Sequence, residues 1–351
     1  MDNKLLFILK KKQNLDPTAQ NVRGLSTGLF NSASFMNELV KEEDIPSIME
    51  IAIDNNCIDR LVTKHKPTHV IIEALWIVPP KFEVLTRLHP NVKWIIRLHS
   101  DLPFMAMEGN ALSWIGDYLT YPQLYIACNA SRMHNDIKMF IGAKNNWDEK
   151  TLNDRIIYLP NFYPQEYTSK TFDKNKYWID IACFGAIRPL KNQLIQAVAA
   201  LKFAVSIKKQ LRFHINADRV EGRGEPVMNN IKSMFEHLSD SGHQLCMYNW
   251  APREEFLQTC ASVDIGMQCS FSETFNIVCA DHVSQGVPVV CSSEIPWNSP
   301  FFTANSTETD SLVAALRRTY RFPKCNVLLH QRNLTKYTEE TRIIWSEYFK
   351  E

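Results

Sequence analysis

Glycine is scarce in this sequence, 11 of 351 residues. No G-x-G-x-x-G follows an apolar run and no G-x-x-x-x-G-K-[ST] occurs anywhere. The dinucleotide fingerprint and the phosphate-cradling P-loop are therefore both absent. A dominant charge is missing as well: 39 Lys and Arg against 38 Asp and Glu leave a formal net charge of +1. That balance argues against a histone-like or basic-armed nucleic-acid binder, although it permits a local basic groove. The 9 cysteines are odd in number and scattered, with no C-x-x-C and no His–Cys cluster at zinc-ligand spacing. Several lie inside apolar runs such as "IACFGA" and "VPVVCSS", as buried reduced thiols of a cytosolic protein do. No apolar run approaches the roughly 18 residues of a membrane span. The opening "KLLFILK" is too short for a signal segment and reads as a first buried strand. A soluble, cytoplasmic chain is expected.

What is present is ordinary globular composition, 45% hydrophobic and 22% charged, in a chain long enough for two domains at about 150 residues each. Short apolar runs alternate with helical patterns: "KLLFILK", the helical "GLFNSASFMNELVKE", "THVIIEALW", "KWIIRLHS", "QLYIACNAS" and "RIIYLPN". After a polar, lysine-bearing segment near 161–177 the alternation restarts with "IDIACFGA", "LRFHINA", "QLCMYNW", "DIGMQCS" and "VPVVCSS", each separated by a helical stretch. Buried strands alternating with helices predict α/β architecture, with two doubly wound Rossmann-like domains facing a cleft. The expected boundaries are 1–165 and 166–332, with a final helix over 333–351 packing back on the first domain.

In such sheets ligands sit at the carboxyl ends of the strands, so the strand-end loops carry the candidates. Gly24 and Gly28 flank a helix start after the first strand, where backbone N–H groups can approach a phosphate. His99 directly follows the strand "KWIIRL". In "CFGAIRPLKNQ", Arg188 and Lys191 sit at the expected mouth of a helix, where two cations oppose the dipole and a bound diphosphate would account for them. In "SFSETFN", Ser272 reads as an N-cap and Glu273 as a first-turn acid of a helix over 274–285. Asp281, eight residues on, falls near the same helical face. A buried acid there requires a partner, and a pair of ligand hydroxyls would serve.

These residues together resemble the retaining glycosyltransferases of the GT-B fold, family four in particular. "SETFNIVCADHVSQGVPVVCSS" is similar to that family's E-x-[FG]-x-x-x-x-x-E signature and its A-x-G-x-P-V-V tail, "FGAIRPLKN" to G-R-x-x-x-x-K-[GN], and "IIYLPNFYPQEY" to the P-N-G segment entering the second domain. Order and spacing agree over about residues 155–297. The resemblance implies a UDP-sugar donor, with Glu273 on the sugar hydroxyls, Asp281 on the ribose and Lys191 with Arg188 on the diphosphate. It further implies that Phe275, Asn276 and Ile277 offer backbone N–H groups, that His99 lies near the transferred sugar, and that Gly24 and Gly28 form a phosphate-side loop. The family's arginine after the glycine is Ala186 here, its second glutamate is Asp281, and its glycine after "PN" is Phe162.

The expected reaction is retaining transfer of a hexosyl or pentosyl group with no metal, since no D-x-D pair stands where a metal-dependent transferase needs one. The N-terminal segment "THVIIEALWIVPPKFEVLTRLHPNVKWIIRLHSDLPFM" resembles glycosyltransferases of tailed bacteriophages. That resemblance implies glucose or arabinose transfer to a hydroxylated cytosine, such as hydroxymethylcytosine, in double-stranded DNA, with Arg97, Arg132 and Lys138 on the phosphates. Two other readings stay open: a transferase acting on a saccharide or cell-envelope acceptor, and a nucleotide-sugar epimerase or sugar-binding module.

Overall fold

The apolar runs pair into two all-parallel sheets of six strands each. The computed structural model describes residues 3–11, 28–107 and 109–350. These form two compact units, one from described residues up to 164 together with 338–350, the other from 165–337.

The first unit runs β1 (Leu5–Lys10), α1 (Gly28–Glu42), β2 (Ser47–Ala52), α2 (Cys57–His65), β3 (His69–Glu73), α3 (Lys81–Leu88) and β4 (Lys93–Leu98). It continues through α4 (Leu102–Met105), α5 (Ala111–Tyr118), β5 (Leu124–Cys128), α6 (Ser131–Asn145), α7 (Glu149–Arg155) and β6 (Ile156–Tyr158). The strand order is β2-β1-β3-β4-β5-β6. Both faces are covered, and side chains alternate between them. Leu6, Ile8, Val70, Ile72, Trp94 and Ile96 face one core, while Leu5, Phe7, Ile71 and Ile95 face the other. This two-sided burial is why the strands read as unbroken apolar runs.

The second unit runs β7 (Trp178–Ala182), α8 (Gln193–Ser206), β8 (Gln210–Asn216), α9 (Glu225–Glu236), β9 (Gln244–Tyr248) and α10 (Arg253–Ser262). Then come β10 (Ile265–Gln268), α11 (Ile277–Ser284), β11 (Val289–Ser292), β12 (Thr303–Ala304) and α12 (Thr309–Arg321). Its order, β12-β11-β10-β7-β8-β9, is the 3-2-1-4-5-6 arrangement of dinucleotide-binding sheets when counted from β7. The order reverses between β7 and β10 here and between β1 and β3 in the first sheet, so those are the places for a ligand.

The last helix, α13 (Pro323–Lys350), begins ten residues before the expected 333. Its residues from Thr338 onward belong to the first unit. There Trp345 and Phe349 complete the core formed by Phe7 and Ile71, and the Trp345 indole N–H donates to the Pro160 carbonyl at 2.9 Å. No helix among the described residues is long and apolar enough to cross a membrane.

One buried histidine makes the second unit acid-sensitive. His282 on α11 is fully buried, stacks on Phe184 at 5.7 Å and donates from Nδ1 to the Val278 carbonyl at 2.8 Å. A Cβ on Gly266 would lie 2.7 Å from its ring, so β10 needs glycine there. Burial pushes the His282 pKa down to about 4. Unfolded, the same ring takes a proton near 6.5. Stability is therefore lost as pH falls from about 6.5 to about 4, by roughly 3 kcal/mol when complete. Asp180 and Glu221, each held at about 2, lose theirs mainly below about pH 4. Denaturant midpoints at pH 7 and pH 4.5 are expected to differ, and His282→Leu is expected to narrow the gap. Equal midpoints for the native chain would refute a neutral His282.

Candidate functional site

Each unit carries a constellation at the carboxyl edge of its sheet. In the second unit it lies at the reversal between β7 and β10. After β7 the chain turns at Gly185 (φ +115°), where a Cβ would meet nothing and glycine serves the backbone angle alone. The Gly185 amide donates to Asn216 Oδ1 at 2.9 Å. A single 3₁₀ turn, Pro189–Lys191, follows, and Asn192 in the left-handed region (φ 58°) separates it from α8. Lys191 thus precedes the helix mouth by two residues. The loop after β10 closes on this turn: the Phe271 amide donates to the Leu190 carbonyl at 2.9 Å, and Asn192 Nδ2 to the Cys269 carbonyl at 3.0 Å.

That closure brings Lys191 and Glu273 together, 82 residues apart in sequence. Lys191 Nζ donates to Glu273 Oε1, and Asn276 Nδ2 donates to the same oxygen at 3.0 Å. The helix start differs from the expected one. Asn276, left-handed at φ 61°, is the N-cap of α11 and accepts from the Cys279 amide, while its Nδ2 also reaches Gln268 Oε1 at 3.0 Å. Ser272 caps nothing, and Glu273 stands in the loop rather than on the helix, so it shares no helical face with Asp281. The amides of Ile277 and Val278 fall in the first turn of α11, where the helix itself supplies no acceptors. Phe275 is a core residue whose ring lies 5.9 Å from that of Trp297 and whose carbonyl accepts from the Trp297 indole at 2.9 Å.

Asp281 is buried as expected, and a protein side chain already supplies a partner for its charge. Arg253, the first residue of α10, places Nη1 2.9 Å from Asp281 Oδ1. The sequence did hold a signal for Arg253: a cation opening a helix, the same feature that singled out Arg188.

Arg188 is engaged too. Its Nε donates to Glu221 Oε2 at 3.0 Å, and Glu221 also accepts from Arg219, whose guanidinium lies 4.6 Å from the Trp250 ring. Burial would raise the Glu221 pKa, but the charges of Arg188 and Arg219 overcome it and hold the carboxyl at about 2. The loops after β7 and β8 are zipped by the Ile187–Val220 bridge. They approach so closely that a Cβ on Gly224 would lie 2.2 Å from the Ile187 carbonyl oxygen. The two arginines and one carboxylate leave this edge net positive. Glu221 and Arg219 were missed because nothing in "NADRVEGRG" tells a solvated charge from a clamped one.

In the first unit, His99 follows β4 and is 14% exposed. Its Nε2 pairs with Glu73 Oε2, from the end of β3. Glu73 is fully buried and takes Arg97 Nη1 at 3.3 Å on both oxygens. Burial opposes the Glu73 charge, yet Arg97 and His99 outweigh it and the carboxyl stays below its usual range. Burial lowers the His99 pKa more than Glu73 raises it, so a neutral imidazole faces a charged carboxylate. Ala74, directly after Glu73, is left-handed at φ 71°, a strained conformation for alanine. A small cavity of about 40 Å³ opens beside the ring, lined by Ala74, Leu75, Leu98, His99, Ser100 and Met105.

Of the basic residues expected on an acceptor's phosphates, Arg97 is a correction. It is fully buried, donates to the Leu159 carbonyl at 3.3 Å and the Pro160 carbonyl at 3.2 Å, and lies over the Trp345 ring. No nucleic-acid phosphate can reach it. Arg132 is half-exposed and held by Asp101, a buried cap of α4. Lys138 is half-buried and donates to Asn153. Gly28 is the first residue of α1, and Gly24 lies outside the described residues. Among the described residues, no group of three or more His, Cys, Asp or Glu side chains is placed to hold a metal ion.

No family model matches the sequence, and no curated protein matches it significantly. Solved structures do match. The sucrose-phosphate synthase of Thermosynechococcus elongatus aligns over 99% of this chain and 98% of its own, at TM-score 0.70 and 11% identity. An α,α-trehalose-phosphate synthase (UDP-forming) from Burkholderia vietnamiensis aligns over 99% and 96%, at TM-score 0.66 and 7% identity. The trehalose-6-phosphate protein of E. coli bound with UDP-2-fluoro glucose aligns over 99% and 98%, at TM-score 0.63 and 11% identity. At these identities the likeness establishes the fold, the pair of Rossmann-like domains of the GT-B class.

Proposed function

We propose that this chain is a glycosyltransferase that takes its sugar from a UDP-sugar and delivers it to a hydroxyl acceptor without a metal ion. The observation that carries the reading is the Lys191–Glu273–Asn276 group at the reversal point of the second sheet. It assembles the two halves of the family-four resemblance, "RPLKN" and "SETFN", into one cluster. The fold it shares with a UDP-forming synthase and with a protein bound to UDP-2-fluoro glucose supports the choice of donor.

The roles follow from charge. An entering diphosphate competes for the Lys191 ammonium, and the first-turn amides of α11 favour an anion. Glu273, released from Lys191 but still held by Asn276, then accepts hydrogen bonds from the sugar hydroxyls. Arg188 and Arg219 add positive charge beside the phosphates and take over from the arginine absent at Ala186. Asp281 serves the ribose as a pair with Arg253. In the transfer, the bond between the anomeric carbon and the phosphate oxygen breaks as the bond to the acceptor oxygen forms. The acceptor's proton passes to the leaving phosphate oxygen on the same face, which retains configuration. Lys191 stabilises the charge that develops on the leaving group.

A saccharide hydroxyl is favoured over a DNA base as acceptor, because Arg97 is internal and Arg132 is already held by Asp101. The test is incubation with UDP-glucose, UDP-arabinose and GDP-sugars, each alone, with sugar phosphates, and with hydroxymethylcytosine DNA. UDP release together with a sugar-phosphate product of added hexose or pentose mass is expected. A glycosylated base would restore DNA as acceptor. Absence of any UDP release would refute the transferase.

A further inference from the structure

Two buried glutamines, Gln196 on α8 and Gln268 at the end of β10, hold the two sides of the second-unit constellation. Gln196 Oε1 accepts from the Cys269 amide at 2.8 Å. Its Nε2 donates to the Lys191 carbonyl at 2.8 Å and to the Asn192 carbonyl at 3.2 Å. Backbone groups fix that orientation, because an amide N–H only donates and a carbonyl only accepts. Gln268 Nε2 donates to the Phe184 carbonyl at 3.0 Å, which leaves Oε1 for Asn276 Nδ2 at 3.0 Å. Asn276 is fixed from its other side, since its Oδ1 accepts from the Cys279 amide at 2.9 Å. Its Nδ2 therefore has to face Gln268 and Glu273. Turning either glutamine over would set oxygen against a carbonyl and leave buried groups unpaired, which is costly. One dipeptide of the chain, Gln268–Cys269, thus joins the turn that carries Lys191 to the asparagine that holds Glu273.

We propose that Gln196 and Gln268 are positioning residues that divide the site between them. Gln196 seats the Lys191 turn for the diphosphate, and Gln268 acts through Asn276 to aim Glu273 at the sugar. Both side chains are buried and engaged at each end, so they act through these neighbours and not on the substrate. Glu273 has two side-chain donors, Lys191 and Asn276. Once Lys191 turns to the diphosphate, the donor that stays is the one Gln268 orients. The two parts of a bound nucleotide-sugar therefore answer to different glutamines. The proposal rests on the transferase reading, and its Gln196 half needs only that the site binds a nucleoside diphosphate.

The experiment compares Gln196→Met and Gln268→Met in the full-length chain by calorimetric binding of UDP and by kcat for UDP release from UDP-glucose. Gln196→Met is expected to weaken UDP binding roughly tenfold, the scale of a misplaced binding group. Gln268→Met is expected to leave UDP binding within about threefold and to lower kcat roughly tenfold, as loss of an interaction made with the sugar does. Gln268→Met combined with Asn276→Asp is expected to cost no more than the worse single change, because both act on Glu273 by one route. Equal losses of UDP binding in the two single variants, unchanged constants in both, or additive losses in the double variant overturn the proposal. A native chain that does not bind UDP overturns it together with the donor. A native chain that binds UDP yet releases none from UDP-glucose refutes the transferase reading and the Gln268 half, while the Gln196 result stands. Where a variant fails to fold, hydrogen exchange in the native chain decides. The side-chain amide protons of both glutamines are expected to be protected, and exchange as fast as that of an exposed glutamine overturns the proposal.

Discussion

Lys191→Ala is expected to lower UDP release from a UDP-sugar by 10²–10³-fold, the loss typical of removing one donor that meets charge developing on a leaving group. Lys191 is the cation paired with Glu273, and its truncation also leaves that carboxylate to repel the entering diphosphate. The defect is therefore expected in both kcat and KM. The fold is expected to survive, because Lys191 stands in a surface 3₁₀ turn anchored by backbone bonds and by Asn192, whose Nδ2 donates to the Ser306 carbonyl at 2.7 Å. Circular dichroism and the denaturation midpoint are thus expected to match those of the native chain. Glu273→Gln separates the terms: it keeps an acceptor for sugar hydroxyls, so the diphosphate bond should hold while kcat falls. Native-level turnover in Lys191→Ala would remove the second-unit constellation from the chemistry.

Arg97→Met is expected to destabilise the first unit by about 3–5 kcal/mol, the range for removing one partner of a buried ion pair. Both members of the pair are fully buried, and Glu73 would keep an uncompensated charge beside His99. The Leu159 carbonyl would lose the Arg97 donor, the Pro160 carbonyl would keep only the Trp345 indole, and Trp345 would lose its cation. Replacing both charges, as in Glu73→Leu with Arg97→Met, is expected to recover much of the loss, because desolvation of the pair nearly cancels its attraction. Thermal and urea unfolding of the single and double variants measure the coupling. A double variant no more stable than Arg97→Met would show that the arginine acts through the carbonyls rather than through Glu73.

The alternation of apolar runs with helical periods was enough to read two βα sets. That inference is local: a strand buried on both faces must be continuously apolar, and Leu5–Lys10 or Val289–Ser292 cannot be anything else without exposing it. Glu273, Lys191 and His99 were also legible, as charged or titratable residues at strand ends, where backbone amides and open space converge. The partners were not. Burial cost says that Asp281 must be neutralised, but whether by a ligand or by Arg253 depends on where α10 lands, 28 residues away. The same holds for Glu73 and Arg97, adjacent only because β3 and β4 pair in the register Glu73–Arg97, and for Glu221, which clamps Arg188 only because the loops after β7 and β8 form a bridge. Even the start of α11 was moved by a tertiary choice: Asn276 adopts a left-handed backbone and bonds Gln268 and Glu273, which puts Glu273 in the loop beside Lys191. Periodicity and propensity act over a few residues and are written in order along the chain. Charge compensation acts through space in a low-dielectric interior, so it was decided only when the strands took their register.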